Sequence, residues 1–284
     1  MVAGQRAPAH RRLAAALETL AAPAAAAALV LGLAAGAAAD EVNTPAPFIT
    51  TPDEVVERML AIAGTGAEDF VIDLGSGDGR IVIAAAKKFG ARGLGVDIDA
   101  RLVRLSRENA QAAGVGERAL FEERDALKTD LTRATVVTVY LLPFLIDQLQ
   151  PRLREELRPG ARVVTHAFAM KGWKPDRIED VRLNKRHPGQ GDESRIFMWI
   201  VPAEARGEWQ GRETRLRIHQ NFQEIEVEGE AFGAPLEVKE AKLEGTAISF
   251  SGAGFSYRGR VLTDRIVGEL TRGAVAAPLV LQKK

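Results

Sequence analysis

Three acids and three glycines carry the chemistry this sequence offers. Asp73 closes the apolar run Phe70-Val71-Ile72 and is followed by Leu74-Gly75-Ser76-Gly77-Asp78-Gly79, after which Arg80-Ile81-Val82-Ile83 resumes an apolar pattern at helical spacing. That is a strand, a tight loop and a helix start. Glycines let a ligand approach the backbone, and a helix start offers free N–H groups. Asp97 ends a second short run, 24 residues after Asp73, where an acid can accept hydrogen bonds from a ribose diol. Asp125 ends a third and can accept from an adenine amino group. In an open parallel sheet, strands present their carboxyl ends along one edge, so the three acids are expected to line a single cleft.

The spacing discriminates between nucleotide cofactors. A dinucleotide loop reads Gly-x-Gly-x-x-Gly and places a pyrophosphate on the helix end. Here it reads Gly75-x-Gly77-x-Gly79, with Arg80 where the third glycine would stand. Carboxylates at Asp73 and Asp78 repel a diphosphate and favour a cation. A ligand with a sulfonium, an ammonium and an adenosine answers all these groups, and that ligand is S-adenosylmethionine (SAM).

The surrounding elements must hold these residues in place. Thr51-Pro52-Asp53-Glu54 reads as a helix start, with Thr51 as N-cap and Pro52 at the first position, and Val55, Val56, Met59 and Leu60 give that helix an apolar face. Phe70–Leu74, 93–97, 119–123, 135–142 and 161–169 read as strands alternating with helices. That pattern predicts a Rossmann-like, doubly wound, mostly parallel α/β sheet over residues 51–202, with late strands at 178–183 and 194–201. Beyond Pro202 the apolar residues alternate, as in Leu216/Ile218, Ile225/Val227, Ile248/Phe250 and Leu279/Leu281, between recurring glycines. Residues 203–284 are therefore expected to form a small antiparallel all-β barrel or sandwich.

Composition narrows the function classes. Lys and Arg (38) balance Asp and Glu (38), and residues 203–284 carry 12 of each sign, so no basic face predicts a nucleic-acid partner. There is no cysteine, and the four histidines show no metal-ligand spacing, so no metal is expected. Residues 1–39 open with Arg6, His10, Arg11 and Arg12 and continue as an Ala/Leu-rich run ending Ala37-Ala38-Ala39-Asp40. They read as a bacterial secretory signal cut after Ala39, or as an uncleaved anchor over 13–39, followed by a linker at 40–50. Either predicts an exported, periplasmic or membrane-anchored protein with membrane proximity; a non-functional leader predicts a cytoplasmic one.

Val71–Ala86 together with Asp97 resembles motif I and the following acid of class I SAM-dependent methyltransferases. More narrowly, the run from Asp73 to Lys87, the helix start Thr51-Pro52, Tyr140-Leu-Leu-Pro143 and Trp173-Lys-Pro-Asp176 are similar to the protein-lysine methyltransferase family that includes the mitochondrial enzymes acting on the ATP synthase c-subunit and the adenine nucleotide translocase. The resemblance covers about residues 48–202. It implies SAM as cofactor, a protein lysine as acceptor, and a cofactor set of Thr51, Asp73, Gly75, Ser76, Gly77, Gly79, Asp97, Ile98, Asp125 and Ala126. Tyr140 and Pro143 stand where many amino-methylating relatives carry Asp/Asn-Pro-Pro-Tyr, and are expected to line the amine channel, with Phe144, His166 and Phe168 as further walls. A small-molecule acceptor, with the β segment as a lid, is the alternative. An exported non-catalytic scaffold is another, since SAM is made in the cytoplasm. The basic run Arg182, Lys185, Arg186, His187 reads as a solvated hairpin loop.

Overall fold

The structure, a computed structural model, describes residues 49–187 and 191–284. The expected leader, the linker up to residue 48 and residues 188–190 lie outside the described residues. Helix α1 (Asp53–Ile62) leads into β1 (Phe70–Leu74), α2 (Arg80–Lys88), β2 (Arg92–Asp97), α3 (Ala100–Ala112), β3 (Ala119–Glu123), β4 (Val136–Val139), α4 (Pro143–Glu155), β5 (Arg162–His166), β6 (Arg177–His187) and β7 (Gly191–Ile200). These strands form one sheet in the order β3-β2-β1-β4-β5-β7-β6. The first five are parallel; β7 runs antiparallel to β5, and β6 antiparallel to β7.

The central strands read as unbroken apolar runs because both faces are covered. Alternate residues point to opposite faces. Ile72, Leu74, Val137 and Val139 meet Ile146, Leu149 and Leu153 of α4. Val71, Val136 and Val164 meet Val55, Met59 and Leu60 of α1 and Ile81 and Ala85 of α2. Val82 and Ala86 of α2 pack with Val103 and Ala110 of α3 around Phe121. Each helix thus anchors a strand whose carboxyl end carries a site residue.

Two local expectations are corrected. Thr51 does not cap α1: Pro52 is the N-cap, without a side-chain bond, and the Thr51 hydroxyl turns inward to His166. The strand expected over 161–169 stops at His166, because Ala167 adopts a positive φ of 65° and Phe168 N–H bonds back to His166 O at 2.8 Å, closing a γ-turn.

The remaining strands are β8 (Gly207–Gly211), β9 (Thr214–Asn221), β10 (Glu224–Ala231), β11 (Ala234–Pro235), β12 (Val238–Glu244), β13 (Ala247–Gly252), β14 (Phe255–Val261), β15 (Arg265–Arg272) and β16 (Val275–Lys283). They form a second, antiparallel sheet ordered β11-β10-β9-β8-β16-β15-β14-β13-β12, curled about Trp209, Leu216, Ile218, Phe250, Tyr257 and Leu281. It joins the first sheet at the β9–β10 turn. There Phe222, at φ 54°, stacks on Trp173 at 5.6 Å between ring centroids, and the Arg154 guanidinium lies 4.7 Å from the Phe222 centroid. Gln220 completes the joint: its Oε1 accepts from Ala205 N (2.7 Å) and Arg206 N (3.0 Å), and its Nε2 donates to Ala203 O (2.9 Å) and Phe222 O (2.8 Å). Among the described residues no helix is long and apolar enough to cross a membrane.

Candidate active site

The glycine loop leaves β1 and is clamped onto β2: Gly75 N and Ser76 N both donate to Val96 O at 2.9 Å. Gly75 and Gly79 have φ of 82° and 83°. A Cβ at Gly79 would sit 2.6 Å from the Phe121 ring, and one at Gly75 would sit 2.6 Å from Leu141 Cδ2. Only glycine allows this path. The loop therefore lies tightly over β1 and β2 and opens the N-terminal end of α2.

Asp73, Asp97 and Asp125 come together at neighbouring strand ends, as expected from their spacing. Asp73 is 2% exposed, and its Oδ1 accepts a 2.7 Å bond from Thr138 Oγ1 on β4. Burial pushes its pKa up to about 7 against the opposing pull of the Thr138 bond, and the charges of Asp97 and Asp78 push it the same way. A cation placed beside it would reverse that penalty. Asp97 fixes the loop: Oδ2 accepts from Gly77 N and Oδ1 from Asp99 N, both at 2.9 Å. Each oxygen keeps a second lone pair for a diol. Asp125 caps the short 3₁₀ turn Ala126–Lys128 through Leu127 N at 2.9 Å, and Lys128 Nζ lies 3.5 Å from its other oxygen. Ile98, 68% exposed, and Ala126 lie on the loops after β2 and β3.

Arg80 has a larger part than its reading as a missing glycine foresaw. Its guanidinium grips both Asp78 oxygens (2.6–3.1 Å) and donates to Thr51 O at 2.9 Å. Asp78 is thus paired within the loop, while its charge still adds to the upward push on the buried Asp73. Nothing in the local sequence marks this tie, because Thr51 is 29 residues away.

The acceptor side lies past β4. Tyr140 is half-buried, its ring 4.3 Å from that of His166 at 41°. Pro143 is the first residue of α4, where its fixed φ suits a helix start; Phe144 beside it is 57% exposed. His166 is fully buried. Its Nδ1 pairs with Thr51 Oγ1 at 3.1 Å and its Nε2 with Ser194 Oγ at 3.0 Å. Phe168 is turned into the core under α4. Arg182, Lys185 and Arg186 are exposed on β6. A cavity of about 550 Å³ lies on the second sheet, away from these strand ends; its Arg215 and Arg217 pair across strands with Glu230 and Glu208.

The donor residues fit SAM on a further ground. Ser76 Oγ is buried, in a residue 5% exposed, and has no hydrogen-bond partner, a cost that a ligand atom in the loop would remove. Among the described residues no group of His, Asp and Glu is arranged to hold a metal ion.

Comparison with known proteins agrees with this geometry. Residues 73–177 match the family model described as the ANTKMT methyltransferase domain. A protein-lysine N-methyltransferase of Saccharolobus islandicus is 42% identical over 142 residues, which is 49% of this chain and 88% of that protein. The ATP synthase c-subunit lysine N-methyltransferase of Xenopus laevis is 39% identical and the adenine nucleotide translocase lysine N-methyltransferase of Mus musculus 34%. The chain spans 56% of the length of each, and each match covers under half of this chain. Among solved structures, an RNA methyltransferase from Salinibacter ruber in complex with S-adenosyl-L-homocysteine is 45% identical, with a TM-score of 0.50, covering 55% of this chain and 95% of that one. The chain belongs to this family of class I methyltransferases.

Proposed function

We propose that the protein transfers a methyl group from SAM to a lysine amine of a protein substrate. The observation that carries this reading is the 42% identity to the Saccharolobus islandicus protein-lysine N-methyltransferase over 88% of its length. SAM, when bound, supplies a methyl group already activated by the sulfonium. The chain's residues then bind and orient. Asp97 takes the ribose diol, Asp73 compensates the cationic end, Ser76 satisfies its hydroxyl on the ligand, and Ile98, Asp125 and Ala126 border the adenine. Tyr140 and the Leu142–Phe144 segment wall the amine channel, and a water-poor channel favours the neutral amine that must attack. No acid–base dyad is required.

The test combines calorimetry with label transfer. SAM should bind the purified protein, and label from SAM should appear on lysines of a membrane-plus-soluble proteome, read by peptide mass spectrometry. Absence of SAM heat would falsify the donor assignment. Label confined to RNA, the acceptor class named for the Salinibacter protein, or to small metabolites would overturn the lysine assignment while leaving the donor site intact.

We also propose that residues 1–39 direct export. Support for export is the basic start, the apolar middle and the small residues before Asp40. N-terminal sequencing of protein from its own host should begin at Asp40; an intact start would point to retention.

A further inference from the structure

The buried polar group with the widest reach is His166. It ends β5 on the same edge as the three acids. Its two ring nitrogens pair with hydroxyls from the lead-in to α1 (Thr51, 3.1 Å) and from β7 (Ser194, 3.0 Å). A neutral imidazole offers one donor and one acceptor, and a hydroxyl can be either, so both tautomers satisfy the pair. The flat ring lies 4.3 Å from that of Tyr140. Thr51 in turn accepts through its carbonyl from Arg80, which grips Asp78 in the cofactor loop. A continuous set of contacts therefore runs from the donor loop to the acceptor aromatic.

An apolar side chain could fill this space without the desolvation that three buried polar groups demand; what the polar cluster adds is a single orientation. The backbone next to it is strained as well. Ala167 sits at φ 65° in a γ-turn, a conformation that a residue with a Cβ adopts only when its surroundings hold it there.

We propose that His166 is a positioning residue of the acceptor side: bonded to Thr51 and Ser194, it holds the Tyr140 ring in register with the cofactor loop. This rests on the reading of Tyr140 as a wall of the amine channel. His166 is fully buried and acts through the Tyr140 ring that it packs against.

The experiment uses the full chain, labelled SAM and the host proteome as acceptor pool, and reads the SAM dissociation constant, the KM for SAM and the maximal rate of lysine labelling. His166→Phe keeps a flat ring against Tyr140 but removes both bonds. It should leave SAM affinity and KM within about twofold and lower the maximal rate by roughly 10- to 100-fold, the scale of a small misplacement. His166→Gln, which retains a donor and an acceptor, should recover part of the rate. Ser194→Ala should lower the rate less, and should add little in the His166→Phe background. A His166→Phe protein that labels at the parental rate while Tyr140→Ala is impaired overturns the inference. So does a loss of rate matched by an equal loss of SAM affinity, which marks a purely structural role. If Tyr140→Ala labels normally, the reading of Tyr140 fails first and takes this inference with it. Should His166→Phe not fold, Ser194→Ala alone decides, by the same split between rate and affinity.

Discussion

Asp73 is held at a cost to the empty protein. Its folded-state pKa of about 7 lies above the ordinary value of 3.8, so between those pH values the folded chain keeps a proton that the unfolded chain releases. Stability from this group is complete below about pH 4 and is lost as pH rises to about 7. At about 1.36 kcal/mol per pH unit the loss is on the order of 4 kcal/mol. Asp73→Asn keeps the shape and an acceptor for Thr138 but carries no charge. Without ligand, the variant should match the parent near pH 4 and exceed it in urea unfolding by a few kcal/mol at pH 8. A gap that does not change with pH would refute this account. The same variant should bind SAM worse, because the repulsion it relieves in the empty site is the attraction it loses in the filled one. SAM affinity of the parent should rise with pH up to about 7, as the carboxyl ionises.

At the scale of elements, the loop between β1 and α2 depends on close approach. Gly79→Ala combines a left-handed backbone with a Cβ against the Phe121 ring, and should cost about 2–5 kcal/mol in unfolding free energy. Phe121→Leu in the same background should recover part of that loss, since space is what is missing. Undiminished stability of Gly79→Ala would mean that the loop can take another path. This loop, its flanking acids and strands β1 to β5 are legible in the sequence, because strands buried on both faces read as apolar runs and an acid at a strand end stands out against them. Thr51 is not legible in the same way. A Thr-Pro-acid start reads the same whether the hydroxyl caps the helix or reaches a histidine 115 residues away. Arg80 escapes for the same reason. The pattern shows only 178–183 of β6, because an edge strand in water carries charges such as Arg182 and Lys185. The alternation after Pro202 marks most of the second sheet. It misses β8 and β15, where Gly207 and Gly211 and then Gly268 thin the apolar signal.

For the whole molecule, Gln220 ties the connector after β7 to the β9–β10 turn that packs on the first core. Gln220→Ala strips partners from two backbone N–H groups and two carbonyls at once, and should lower stability by about 1–3 kcal/mol. Fluorescence of the three tryptophans should report the change, since Trp173 and Trp199 lie in the first core beside Phe222 and Trp209 in the second. If the two sheets hold together without that amide, unfolding will not shift. The strand order has a consequence in time. β7 slots between β5 and β6, so β6 has no partner in the sheet until β7 exists. From His166 to Ile200 is 34 residues, about 2–7 s of synthesis at typical rates. Throughout that interval the nascent chain displays β5 as a bare apolar edge, open to pairing with a neighbouring chain. The strand that ends in His166 thus waits 34 residues for its second neighbour, and growth conditions that slow translation between these two residues should raise the share of the protein lost to aggregates.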